Sequence, residues 1–261
     1  MARKIVFIHG LWIHRSSWQG WMDFFNKQGY QTLNPGWPGD SATIEECRAN
    51  PGAIANRGVT EIVNSYANII AALGEPPIVI GHSFGGLVAQ IILGRGIAAA
   101  GVAIDPAPIK GVWQLPFSVI KGTLPVLSNP FNFTKAMPLT FKQFTYGFAN
   151  ALPEKEAREL YDRWTMPAPC RPLFQAAMST IAGSETKVDT GNTKRGPLLI
   201  TGGDKDNIAP PLFGRESAKK YNSSVVTDFK LFEGRGHSLI FDHGWQEVAE
   251  YSLVWLKKNG F

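Results

Sequence analysis

Ile78-Val79-Ile80-Gly81-His82-Ser83-Phe84-Gly85-Gly86 sets an apolar run of strand length against a glycine-flanked serine, and a helical pattern follows over Leu87–Gly94. A chain that leaves a buried strand and enters a helix within so few residues turns sharply enough to strain its central residue. Side chains two positions before and after that residue would strike the strand and the helix, and glycine at 81 and 85 removes them. The turn presents the Ser83 hydroxyl at the carboxyl end of a sheet, where open α/β folds place ligands. Ser83 is therefore the candidate nucleophile.

Other short apolar runs bounded by Gly, Pro or Asp read as buried parallel strands: Ile5–Ile8, Val102–Ile104 and Leu198–Thr201 beside Ile78–Ile80. Val225–Phe232 is a less uniform fifth strand and Gln31–Asn34 a weaker sixth. Helical patterns fall between them over Ser17–Gln28, Glu61–Leu73, Leu87–Gly94, Leu212–Tyr221 and Trp245–Lys258. In the last, Val248, Leu253, Val254 and Leu256 form the expected buried face. The alternation predicts an α/β fold with a mostly parallel sheet of about six strands, covered by helices on both sides.

The alternation breaks over 107–190, where nine of the 18 prolines gather with Trp113, Phe117, Phe131, Phe133, Phe141, Phe144, Phe148 and Trp164. Helices are expected there at Thr140–Ala151 and Glu154–Trp164, the second opened by Pro153 with acidic residues in its first turn. The segment reads as an aromatic-rich helical cap inserted between core segments 1–106 and 191–261. Most of its aromatics are expected to pack inside that lobe.

The chain has 261 residues, 44% of them hydrophobic and 18% charged, which suits one globular α/β unit with an insertion. Its 26 Lys and Arg against 21 Asp and Glu leave +5, without the basic run that would mark a nucleic-acid surface. Cys47 and Cys170 stand too far apart, and too few, for a disulfide framework or a zinc site. The first apolar stretch ends at His9-Gly10, too short for a signal segment or a membrane span, so a cytoplasmic protein is expected.

Four separated motifs resemble the α/β-hydrolase family. His9-Gly10-Leu11-Trp12, with Trp18 following, resembles the oxyanion loop of the family's esterases, and Pro35-Gly36-Trp37-Pro38-Gly39-Asp40-Ser41 is similar to the turn after its next strand. The turn at Ser83 is the third. The fourth pairs Gly202-Gly203-Asp204-Lys205-Asp206 with Gly234-Arg235-Gly236-His237-Ser238. The order Ser83, Asp206, His237 is the family's order. The chain departs from the family in lacking the opening hairpin, and in the longer polar excursion over Ala42–Gly58, which has no functional reading.

The resemblance implies Ser83 as nucleophile, His237 as base, and Asp206 as the carboxylate that fixes the base's tautomer. Asp105, at the end of Val102–Ile104, is the alternative acid, and Asp204 reads as a turn residue. The backbone N–H groups of Leu11 and Phe84 are the expected oxyanion donors. His9 is expected to brace its loop and His82 to point away from the serine's partner, while His14 and His243 read as solvated. Trp12, Trp113 and Phe144 are the candidate substrate contacts.

The implied activity is hydrolysis of an uncharged, hydrophobic carboxylic ester through an acyl-serine, with no cofactor and no metal. Lactone or carbon–carbon bond hydrolysis and cofactor-free perhydrolysis fit the same residues, and a receptor without turnover is the rival of another class. The implied partner is a small ester. No nucleic acid, no membrane span and no basic amphipathic helix for a lipid surface are read from the sequence.

Overall fold

The apolar runs become the middle of a six-stranded, wholly parallel sheet in the computed structural model, which describes residues 2–179, 183–222 and 224–261. In chain order the elements are β1 (Lys4–Ile8), α1 (Gln19–Lys27), β2 (Gln31–Leu33), α2 (Ile44–Ala49), α3 (Val59–Ala72), β3 (Ile78–His82), α4 (Phe84–Gly94) and β4 (Ala100–Ile104). The chain then leaves the sheet for α5 (Phe117–Leu127), β5 (Ala136–Met137), α6 (Phe141–Gly147), α7 (Glu154–Trp164), β6 (Ala168–Pro169) and α8 (Arg171–Ser179). It returns through β7 (Leu198–Gly203), α9 (Pro211–Ala218), β8 (Thr227–Phe232) and α10 (Trp245–Lys258).

The strand order is β2-β1-β3-β4-β7-β8, with β5 and β6 forming a separate antiparallel ribbon. Every residue of β3, β4 and β7 is buried, as helices on both faces require, whereas β8 at the edge is only partly covered. That edge position accounts for the mixed composition of Val225–Phe232. The buried apolar side chains form one continuous cluster that runs from the sheet into Val119, Phe144 and Phe148 of the 107–190 segment.

One expectation is corrected, and two segments left unassigned by the sequence fold as helices. Val254 of α10 is exposed, and Ala249, Ser252 and Trp255 join Val248, Leu253 and Leu256 on the buried face. Val254 lies about 240° around the helix from Val248, on the opposite side. Within the 42–58 excursion Ile44–Ala49 folds as α2, opened by a reciprocal capping box between Thr43 and Glu46. Helix α5 was hidden in the sequence by Gly122 and Pro125, both helix breakers. Among the described residues no helix is long and apolar enough to cross a membrane.

Candidate active site

The order of strand addition reverses at β1, from which β2 lies on one side and β3 on the other, and such switch points open a crevice at the strands' carboxyl ends. The loops after β1, β3, β4, β7 and β8 carry His9–Leu11, Ser83, Asp105, Asp206 and His237 respectively. Trp12, Ser83 and Asp105 all have positive φ (65°, 56° and 42°), and only Asn56 shares this among described non-glycine residues. Left-handed backbone at side-chain-bearing residues is costly, so the sheet is enforcing these turns.

Ser83 sits between β3 and α4, its N–H bonded to Ile104 O at 2.9 Å and its carbonyl accepting from Ala107 N at 3.1 Å. A methyl group on Gly81 would lie 2.0 Å from Gly85 O, and one on Gly85 would lie 2.1 Å from Ile8 O. The two glycines are thus a steric requirement of the turn. Phe84 opens α4, so its N–H has no acceptor inside the helix. The β1 loop passes directly beside the serine, and a Cβ on Gly10 would come within 2.7 Å of Ser83 Cβ. Gly10→Ala therefore displaces Ser83 or the Leu11 loop, and steady-state kinetics should show kcat reduced by about 10²-fold.

His237 is fully buried and its Nδ1 donates to Asp206 Oδ2 at 2.5 Å. Asp206 Oδ1 accepts from the N–H groups of Ile208 and Ala209, both at 2.8 Å, which fixes the carboxylate plane. Nε2 of His237 has no protein partner. The loop carrying the ring is tied down one residue on. Ser238 Oγ donates to Asp242 Oδ2 at 2.9 Å, and Asp242 is ion-paired with Arg235. Burial, opposed by Arg235, raises the Asp242 carboxyl above its usual range.

Asp105 is also buried, but its Oδ1 accepts from Gly203 N at 2.8 Å and its Oδ2 has no partner. Burial first, and then the charge of Asp206, pushes its carboxyl well above the ordinary range. Asp204 Oδ1 accepts from Arg235 N at 3.2 Å, in keeping with a turn role.

His82 does not point away from the base as expected. Its ring packs on that of His237, centroids 4.6 Å apart, and its Nε2 donates to His237 O at 2.8 Å. Burial, then the neighbouring His237, lowers the His82 ring well below the ordinary histidine range, so it stays neutral. One ring nitrogen each of His82 and His237 and a carboxylate oxygen of Asp105 lie within 4.8 Å of one another, placing all three in one buried cluster. Phe148 closes the other side of His237, edge-on at 4.9 Å. Neither contact was foreseen, although His82 lies in the quoted stretch itself.

His9 braces its loop. Its Nδ1 donates to Gly10 O at 2.8 Å, its Nε2 donates to Asp40 Oδ2 at 2.7 Å, and Trp37 stacks on the ring at 4.9 Å. Burial alone would raise the Asp40 carboxyl, but His9 and the Trp37 N–H outweigh it and hold the group below its ordinary 3.8. A carboxyl depressed by folding contributes stability at higher pH and loses it as pH falls through the folded value. Asp40→Asn should therefore lower Tm at neutral pH, and the gap to the native protein should narrow below pH 3.8 in a thermal-unfolding series. His14 is buried rather than solvated and caps the turn at Arg15–Trp18, whereas exposed His243 pairs with Glu156.

A cavity of about 240 Å³ opens beside Ser83. Leu11, Trp12 and Phe84 line it together with Val112, Trp113, Val119, Leu124 and Leu173 of the 107–190 segment and Ile208 and Phe213 beyond β7. Gln114 and Thr123 are polar members of the wall, and no charged side chain lines it among the described residues. Trp12 is anchored by its Nε1 donating to Met137 O at 2.9 Å. Trp113 stands at the wall with much of its ring exposed. Phe144 is not a lining residue: it is fully buried, stacked on Phe148 at 5.3 Å, so packing has claimed it. A larger polar groove of about 680 Å³ along α3, with Arg171 and Gln175, contains none of these residues.

A family model described as "Alpha/beta hydrolase family" matches residues 5–251. No curated protein sequence matches the chain. Among solved structures, the monoacylglycerol lipase of Paleococcus ferrophilus is 22% identical with a TM-score of 0.69, over 98% of this chain and 95% of its own. An extracellular α/β-hydrolase from a Paenibacillus species is 19% identical, with a TM-score of 0.68 over 96% and 98% of the two chains. A thermophilic esterase from Thermogutta terrifontis is 14% identical, with a TM-score of 0.67 over 100% and 92%. At these identities the likeness is one of fold.

Proposed function

The chain belongs to the α/β-hydrolase family, and on that footing we propose that it is a serine esterase acting on uncharged, hydrophobic esters. The observation that carries this reading is the cavity: it joins Ser83 to apolar walls without a charged side chain, so a charged acid or amine would enter it unpaired. Segment 107–190 serves as the cap that supplies much of that wall.

In the proposed mechanism Ser83 Oγ attacks the ester carbonyl carbon while Nε2 of His237 takes its proton. Asp206 holds the other ring nitrogen and stabilises the imidazolium. The carbonyl oxygen, now an anion, accepts from the Phe84 and Leu11 N–H groups. Collapse breaks the bond to the alcohol oxygen, which leaves with the proton from His237. Water then attacks acyl-Ser83, giving its proton to Nε2, and the acid departs as Oγ is reprotonated. The neutral His82 supports the loop through its bond to His237 O and needs no proton exchange.

A panel of p-nitrophenyl esters tests the reading. Turnover should favour apolar acyl groups, and a carboxylate on the acyl chain should reduce kcat/KM by about 10²-fold or more. Saturable binding without turnover of any ester or lactone would point to a receptor.

A further inference from the structure

Helix α5 is built inside out. Val119 and Val126 face inward, while Phe117, Ile120 and Leu124, one helical face by their spacing of three and four residues, are exposed. Phe117 is 78% exposed, and Trp113 and Leu115 just before the helix are 62% and 63% exposed. Phe131, four residues past its end, is 80% exposed. Exposed apolar residues scattered singly need no explanation, but this many in one 19-residue stretch do. Trp113, Leu115, Ile120 and Leu124 also line the Ser83 cavity, so the exposed face and the cavity mouth are the same surface.

The charge on this stretch is one-sided. From Pro106 to Pro153 there is no Asp or Glu, and Lys110, Lys121, Lys135 and Lys142 give the segment +4 of the chain's net +5. Lys121 lies on the exposed face itself, four residues after Phe117, with its Nζ 4.6 Å from the Tyr146 ring centroid, whereas Lys110 is turned to Gly183 O at 2.6 Å. A second copy of the chain seated here in a two-fold pair would bring two cationic faces together, which disfavours a dimer. Apolar side chains with an exposed lysine among them, in a stretch that has no acidic residue, fit a surface that is apolar below and anionic above.

We infer that the exposed face of α5, with Trp113, Leu115 and Phe131, docks on an anionic lipid surface and opens the cavity toward it. Docking is independent of catalysis. That the ester substrate enters from the lipid rests on the esterase reading.

The test uses the full-length Ser83→Ala protein, so binding is read without hydrolysis, with phosphatidylcholine vesicles containing or lacking phosphatidylglycerol. Co-sedimentation is expected with the phosphatidylglycerol vesicles, falling with salt and with the anionic lipid omitted. Phe117→Glu/Lys121→Glu, at two positions that do not line the cavity, should weaken it at least about tenfold. In the Ser83 background the same double variant should keep its turnover of a soluble short ester and its Tm. Phe131→Glu is an independent second variant should the first lose its fold. No binding, equal binding to both vesicle types, or native binding by both variants would overturn the inference. So would a dimer that dissociates on Phe117→Glu/Lys121→Glu. If vesicles bind but no ester turns over, the docking surface stands and the esterase reading fails.

Discussion

Ser83→Ala should reduce kcat on a hydrolysable p-nitrophenyl ester by about 10⁵- to 10⁶-fold, with KM changed little. The size follows from the role: without Oγ no acyl-enzyme forms, and the remaining rate is what the oxyanion donors and the bound water provide. The fold should survive, because Ser83 is held through its backbone. Its N–H bonds Ile104 O and its carbonyl accepts from Gly86, Leu87 and Ala107. Removing Oγ leaves these intact. A Tm close to the native value together with the lost rate separates chemistry from unfolding.

Asp206→Asn and Asp105→Asn should part by about two orders of magnitude or more. In Asp206→Asn the side-chain oxygen remains at the Oδ1 position, where the Ile208 and Ala209 N–H groups demand an acceptor. The amide NH₂ then faces Nδ1 of His237, which must be unprotonated to accept it. The proton moves to Nε2, where the base needs a lone pair, and kcat should fall by about 10³- to 10⁴-fold. Asp105→Asn retains the acceptor for the Gly203 N–H and removes a carboxyl whose ionised form burial and Asp206 disfavour. Its kcat should change by less than about tenfold, since Nδ1 of His237 is held by Asp206 while Asp105 bonds Gly203 N. The stability effect has the opposite sign to that of Asp40. A carboxyl whose folded value is raised above 3.8 contributes most below that pH, and the contribution is lost as pH rises toward the folded value. Asp105→Asn removes that loss, so its Tm relative to the native protein should increase between acid and neutral pH. A large kcat loss in Asp105→Asn with little in Asp206→Asn would reassign the acid.

The strands and the turn at Ser83 were legible because their causes are local. An apolar run bounded by glycines needs no distant partner, and the steric demand on Gly81 and Gly85 arises within a few residues. Helix α7 was read to its ends for the same reason, with Pro153 before it and acidic residues in its first turn. What failed to show was set by chain brought from afar. His82 meets His237 across 155 positions, and nothing near His82 announces it. Asp40 reaches His9 across 31 positions, and its place in a Pro-Gly turn marks the turn but not the ion pair. Phe144 and Trp113 are both aromatics of the same segment, yet one is packed away and the other lines the cavity. Only the direction of each side chain in the folded chain separates them. The apolar outer face of α5 was obscured by Gly122 and Pro125, which read as loop.

The esterase reading rests on a covalent bond at one oxygen. The most direct measurement is peptide mapping by mass spectrometry after treating the native protein and Ser83→Ala with a fluorophosphonate. The predicted result is a single adduct on the peptide carrying Ser83 and none in the variant. An adduct of equal yield in Ser83→Ala, or an adduct elsewhere in the native protein with Ser83 unmodified, would contradict it.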